Sequence, residues 1–191
     1  MGDTTTYSQK ASKGCILISE PFLPDPNFER TVILVCDHNS EGSVGFILNR
    51  TADIKLGDVV EEFIESEKDL YIGGPVEQNT MHFIHKIAYQ LEGSLALGEG
   101  ISWGGDFEIL KLLINTKQVS LNDLRFFLGY SGWAPRQLQR EINEKTWIVY
   151  KPDSLAEIWE MNPTDMWRII LKKMGGKFKM MSNYPIDPRL N

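Results

Sequence analysis

Three runs rich in β-branched and apolar residues, at 15–19, 31–37 and 43–49, open the chain with turn chemistry between them rather than helix. Pro24-Asp25-Pro26-Asn27 separates the first two. His38-Asn39-Ser40-Glu41-Gly42 separates the second from the third, and its Asn and Gly supply the positive φ that a tight hairpin needs. An opening of this kind commits the chain to hairpin-linked strands.

Later segments alternate helix and strand without a strict repeat. Residues 56–67 place Val59, Val60, Phe63 and Ile64 on one side and Glu61, Glu62 and Glu65 on the other, which predicts an amphipathic helix. Strands are expected at 70–73 and 81–85 around Gly73-Gly74-Pro75, and a helix over 106–115 with Asp106 as its N-cap. A strand at 124–130 leads through Gly132-Trp133-Ala134-Pro135 into a helix with Pro135 at its first position and Leu138 and Ile142 inward. Residues 147–150 read as strand, 155–159 as a short helix, and 163–174 as a longer one begun by Asn162 and stopped by Gly175-Gly176. The fold class that follows is α+β with largely antiparallel pairing.

At 191 residues, with 42% hydrophobic side chains, the chain can stand on apolar burial without disulfides or metal. Residues 1–13 are polar and read as a flexible tail; residues 14–191 read as one domain. Met1-Gly2 followed by Thr6 matches a myristoylation pattern, but no polybasic second signal accompanies it. Asn49-Arg50-Thr51 is a sequon that a chain without a signal peptide does not expose to glycosylation. Cys15 and Cys36, both inside apolar runs, read as buried thiols of a reducing, cytoplasmic setting. A net charge of −6 argues against a phosphate backbone as partner, and no run is long enough to span a membrane.

Familiar motifs fail on spacing. Gly129-Tyr130-Ser131-Gly132 lacks the residue that a nucleophile elbow places between serine and the second glycine. Gly98-Glu99-Gly100 has no third glycine, and Gly176-Lys177 is followed by Phe178 where a phosphate loop needs Ser or Thr. His82 and His85, three apart on a strand, point to opposite faces and cannot share a metal. No cofactor is therefore expected. The helix pair around Met161-Asn162-Pro163 has a helix-turn-helix outline, but Trp167, Ile170, Leu171 and Met174 commit its second helix to the core.

Read in order, Gly14-Cys15-Ile16-Leu17-Ile18-Ser19 with Pro21, Asp25-Pro26-Asn27-Phe28-Glu29-Arg30-Thr31-Val32, and His38 through Gly45 to Asn49-Arg50 resemble the bacterial YqgE/AlgH family. Gly73-Gly74-Pro75-Val76, His85, and Gly129 to Trp133 through Gln137-Leu138 to Glu141-Ile142 extend the likeness over nearly the whole chain after the tail. Thr51 stands where the family often has proline, and Ala134 and Arg136 where it usually has glycine. The resemblance implies a bifurcated sheet curled into a pseudo-barrel with helices packed on it, in a cytoplasmic bacterial protein. It implies no established catalytic residue. Some members carry a transcriptional-regulator label, yet the charge balance and motifs here supply no DNA-reading surface.

Polar motif residues gather near strand ends and turns, and they define the expected site: Asp25, Arg30, His38, Asn39, Asn49, His85, Trp133, Gln137 and Glu141. On this reading the protein is a non-enzymatic binding or regulatory module for a small ligand or a protein partner, of open oligomeric state. One alternative is a hydrolase or transferase with His38 or His85 as base and Asp25 or Glu141 as its partner. Another is nucleic-acid binding, direct or indirect, through Arg136, Arg140 and the C-terminal lysines.

Overall fold

The computed structural model describes residues 7–63 and 66–186. The Met1-Gly2 to Thr6 pattern lies outside the described residues. Chain order runs β1 (Tyr7–Ser8), β2 (Ile16–Ser19), β3 (Val32–Asn39), β4 (Gly42–Ile47), β5 (Thr51–Lys55), α1 (Leu56–Val59), β6 (Asp69–Ile72) and β7 (Val76–His85). It continues with β8 (Leu95–Gly98), β9 (Ile101–Trp103), α2 (Phe107–Asn115), β10 (Leu124–Trp133), α3 (Gln137–Asn143), β11 (Trp147–Tyr150), α4 (Leu155–Glu160), α5 (Pro163–Met174) and α6 (Gly176–Met181).

These strands form one curled sheet in the order β1-β11-β2-β3-β4-β10-β7-β9-β8, with β6 added to β10 and β5 to β6. The α+β, mainly antiparallel, bifurcated architecture stands, and the sheet curls without closing into a barrel. Only β6 and β10 pair in parallel among the described residues. The sheet already begins at Tyr7, paired with Tyr150, inside the stretch expected to be a tail.

The fork lies in β10. Its end, Ser131 to Trp133, pairs with β4, while Phe126 to Leu128 pairs on the same side with β6. Between the halves Gly129 takes φ 64°, and a Cβ on Gly73 would sit 2.3 Å from the Gly129 carbonyl oxygen. The Gly73 N–H donates to the Leu128 carbonyl at 2.8 Å, and its own carbonyl accepts from the Ile47 N–H at 2.9 Å and the Ser131 hydroxyl at 3.0 Å. Ser131, fully buried, is thus a stitch across the fork.

Three apolar clusters hold the sheet. Leu17, Ile33, Val35, Ile47 and Val149 pack under Leu138 and Ile142 of α3, with Trp133 and Trp147. Ile16, Ile18, Leu34 and Phe46 face the other way, onto α4, α5 and α6 through Ile158, Trp167, Ile170 and Phe178. Because β2 and β3 are covered on both faces, they read as continuous apolar runs rather than alternating ones. The third cluster joins Leu56, Phe63, Leu70, Phe83 and Phe126 to Leu110 and Leu113 of α2. Burial of this kind contributes roughly 25 cal/mol per Å2 of apolar surface, enough to need no covalent staple; both cysteines are free and buried.

Several sequence expectations need correction. The helix over 56–67 is cut to α1 and a short 3-10 turn, Glu61–Phe63, and Val59 is exposed. The β5–β6 ladder captures its start: Leu56 N–H donates to Lys68 O and Gly57 N–H to Ser66 O. Ile64 and Glu65 lie outside the described residues. Pro135 does not begin α3, which is entered at Gln137 from Arg136 at φ 65°. That left-handed backbone costs a non-glycine residue about 1 kcal/mol. Gly98-Glu99-Gly100, expected to have no strand before it, belongs to the β8–β9 hairpin, with Glu99 and Gly100 as a two-residue turn at φ 47° and 78°. Gly175 ends α5 as expected, but the chain turns at once into α6.

Candidate functional site

Glu141, on α3, stands at a node made by the ends of two strands. The indole N–H groups of Trp133 and Trp147 both donate to its Oε2 at 2.8 Å, and the Gln137 amide donates to Oε1 at 2.8 Å. Gln137 accepts in turn from the Ala134 N–H at 2.9 Å, so it closes the turn into α3. The indoles meet edge to face at 5.9 Å. This carboxylate has both oxygens engaged by packed donors, an arrangement that fixes α3 on the sheet.

Other expected site residues are held at separate places. Asp25 accepts from the Asn27 N–H at 2.9 Å, capping its own turn. The Asn49 side chain accepts from Val32 N–H at 2.8 Å and donates to Arg30 O at 2.9 Å, pinning the start of β3. Arg30 donates to the carbonyls of Tyr184 and Pro185, each at 2.6 Å, and lies 4.7 Å over the Trp167 ring. Burial lowers its pKa from the usual value, and Nε finds no partner among the described residues. His85 is fully buried: Nε2–H donates to Gly104 O at 2.8 Å, and Nδ1 accepts from the Ile87 N–H at 3.2 Å. Burial pushes its pKa down, so the neutral ring is the form this pocket holds.

The β3–β4 hairpin splits the remainder between two faces. His38 and Trp133 flank Ser43 in register, on the α3 side, and the Ser43 hydroxyl meets His38 Nδ1 at 2.7 Å. A bulge between Val35 and Asp37 sets Asp37 opposite Val44, whose side chain packs with the cluster on the other face. There an open groove of about 400 Å3 is lined by Asp37, Asn39, Glu41, Val44, Tyr130 and Trp133, among others. Asn39 organises its acidic wall, donating to Asp37 Oδ2 at 2.9 Å and accepting from the Glu41 N–H at 2.7 Å.

The structure therefore joins Trp133, Gln137 and Glu141 in one node, links Asn49 to Arg30, and brings Asn39 to the groove that Trp133 borders. It does not gather Asp25, Arg30, Asn49 or His85 there. Asp37, Val44 and Tyr130 were missed; the signal was an acidic residue closing an apolar strand, but its face depended on the bulge. Neither His38 nor His85 is hydrogen-bonded to a carboxylate among the described residues. No three potential metal ligands converge among them.

A family profile described as AlgH-like matches residues 16–179. The chain belongs to the AlgH-like family. A UPF0301 protein of Cytophaga hutchinsonii is 45% identical over 94% of this chain and 99% of its own length. One of Bacteroides thetaiotaomicron is 41% identical, over 94% of this chain and 91% of its own. The solution structure of the AlgH protein from Pseudomonas aeruginosa shares the fold, with a TM-score of 0.71 at 24% identity over 97% of each chain. A crystal structure from Corynebacterium diphtheriae superposes with a TM-score of 0.74 at 25% identity, covering 92% of this chain and 93% of that one. No helix among the described residues is long and apolar enough to cross a membrane.

Proposed function

We propose that this AlgH-like protein is a non-enzymatic binding or regulatory module that takes a cationic ligand, an amine or guanidinium, in the groove between the β3–β4 hairpin and the end of β10. One observation carries this reading: the groove is lined by Asp37 and Glu41 together with Tyr130, and no basic residue lines it among the described residues. Carboxylates supply charge, and an aromatic face adds attraction for a desolvated cation. The polar groups elsewhere that suggested chemistry are held by buried partners, Glu141 by indoles and His85 by main chain, whereas Asp37, which accepts from the His38 N–H and the Asn39 amide, lines an open groove. Free, buried cysteines favour a reducing, cytoplasmic setting. Against direct DNA reading stands α5, whose Trp167, Ile170 and Leu171 are spent on the core.

Calorimetric titration with spermidine and with arginine amide tests the proposal. Binding should weaken as salt rises and should be lost in the Asp37→Asn/Glu41→Gln double variant. Equal affinity in that variant, or no heat with either cation, removes the reading.

A second reading rests on the short Ser43 Oγ to His38 Nδ1 contact, which pairs a hydroxyl with a base as a hydrolase or transferase would. A fluorophosphonate probe that labels the wild type and not Ser43→Ala would support it. An unlabelled wild type would leave the pair as a cross-strand hydrogen bond.

A further inference from the structure

β7 is a long strand with an incomplete neighbour. On one side β10 covers it from His85 to Met81 and again at Val76. On the other, β9 reaches only Ile84 and His85, with one more bond from Gly104 N–H to Phe83 O at 3.0 Å, before the chain leaves through Gly104-Gly105. Because Phe83 presents its main chain to β9, Met81, two residues earlier, presents its N–H and C=O to the same side. No strand among the described residues lies there.

The space that a longer β9 would fill is instead a cleft of about 490 Å3. Phe83, Met81 and Phe107 border it on one face of the sheet, and His82, Trp103 and the half-exposed Leu95 on the other. A cavity that opens onto both faces at a strand edge has the outline of a missing strand, whose side chains alternate between faces. From Met81 to Phe83 the open edge carries neither Lys nor Pro, although β7 is irregular before it, with Glu77 at φ 46° and a register shift against β10, whereas β5, another edge, carries Asp53 and Lys55.

We infer that this edge docks an extended peptide segment of a partner protein, added as an antiparallel or parallel strand beside Met81, with successive apolar side chains seated against Phe107 on one face and Trp103 on the other, and basic residues flanking them. The backbone groups of Met81 ask for another main chain, which sets a peptide above a small apolar molecule. The flanking charge follows from the rim. Glu77 precedes the open edge, Glu92 and Asp106 adjoin the lining glycines 93 and 105, and the nearby Lys111 is taken by Glu62 at 2.6 Å and Glu108 at 3.0 Å. This site is distinct from the acidic groove and stands or falls without it.

The test uses the full chain and acetylated, amidated heptapeptides with a central run of valine and phenylalanine flanked by lysines, followed by fluorescence anisotropy and amide hydrogen exchange. Binding should slow exchange at the Met81 amide. Leu95→Lys, at an exposed position, should weaken binding about tenfold or more. Methylating the peptide nitrogens that face β7 should abolish it, while Asp37→Asn should leave it unchanged. The proposal is overturned if no peptide in the set binds, if binding leaves Met81 exchange unaltered, or if the N-methylated peptide and free indole bind as well as the parent. That last result would make the cleft a small-molecule pocket.

Discussion

On the α3 side of the row formed by β3, β4 and β10, Glu141 accepts from two indoles and an amide, and Ser43 meets His38. On the opposite side of the same row, Asp37, Asn39 and Glu41 line an open groove. The residue types are alike, and the burial of their partners separates their uses, since the indoles that donate to Glu141 are buried. A polar group under a helix must be satisfied inside the protein, because leaving it unpaired costs about 1–3 kcal/mol. At an open surface water satisfies it, and a ligand can replace that water.

The sharpest way to break this comparison is Glu141→Ala, which orphans two indole N–H groups and should cost about 3 kcal/mol in denaturant unfolding. A loss below about 1 kcal/mol would mean that the node contributes little. Trp147→Phe removes one of those donors and the edge contact to Trp133, with an expected loss of about 2 kcal/mol. Both variants should keep any cation binding in the groove.

Buried His85 and half-buried His82 extend the contrast to pH. Burial depresses the pKa of His85, and that of His82 in the same direction, below the ordinary value of 6.5. The unfolded chain then takes up protons first, so this contribution is present above about pH 6.5 and is lost as pH falls below it. Unfolding free energies between pH 7.5 and 5 should decline less steeply in His85→Asn than in the wild type; equal slopes would contradict a buried neutral ring. Smallest of all should be the stability effect of Asp37→Asn, within about 0.5 kcal/mol, read by thermal unfolding without ligand.

Legibility in the sequence tracked local signals. Asp106 caps α2 by accepting from Glu108 and Ile109 N–H groups, and Asn162 caps α5 by accepting from Thr164 N–H, both as side-chain chemistry predicts. The apolar runs of β2, β3 and β11 needed no tertiary knowledge either. Where sequence misled, tertiary pairing had intervened: Lys68 and Ser66 accept from the Leu56 and Gly57 N–H groups and tie the chain back to the start of α1, which ends at Val59. The β8–β9 hairpin was hidden because its strands are short and largely exposed at Leu95 and Ala96. For the candidate site, the sequence found polar residues near turns but not their grouping. Ser131 looked like half a nucleophile motif and is a buried stitch to Gly73.

By itself, then, the sequence determined the α+β class, the hairpin opening, the helix caps and the buried thiols, since each depends on neighbours within a turn or on composition. Only the tertiary structure decided which side chains are satisfied and which are available. The bulge before Asp37 turns on one residue of register, and in a strand one residue moves a side chain from one face of the sheet to the other.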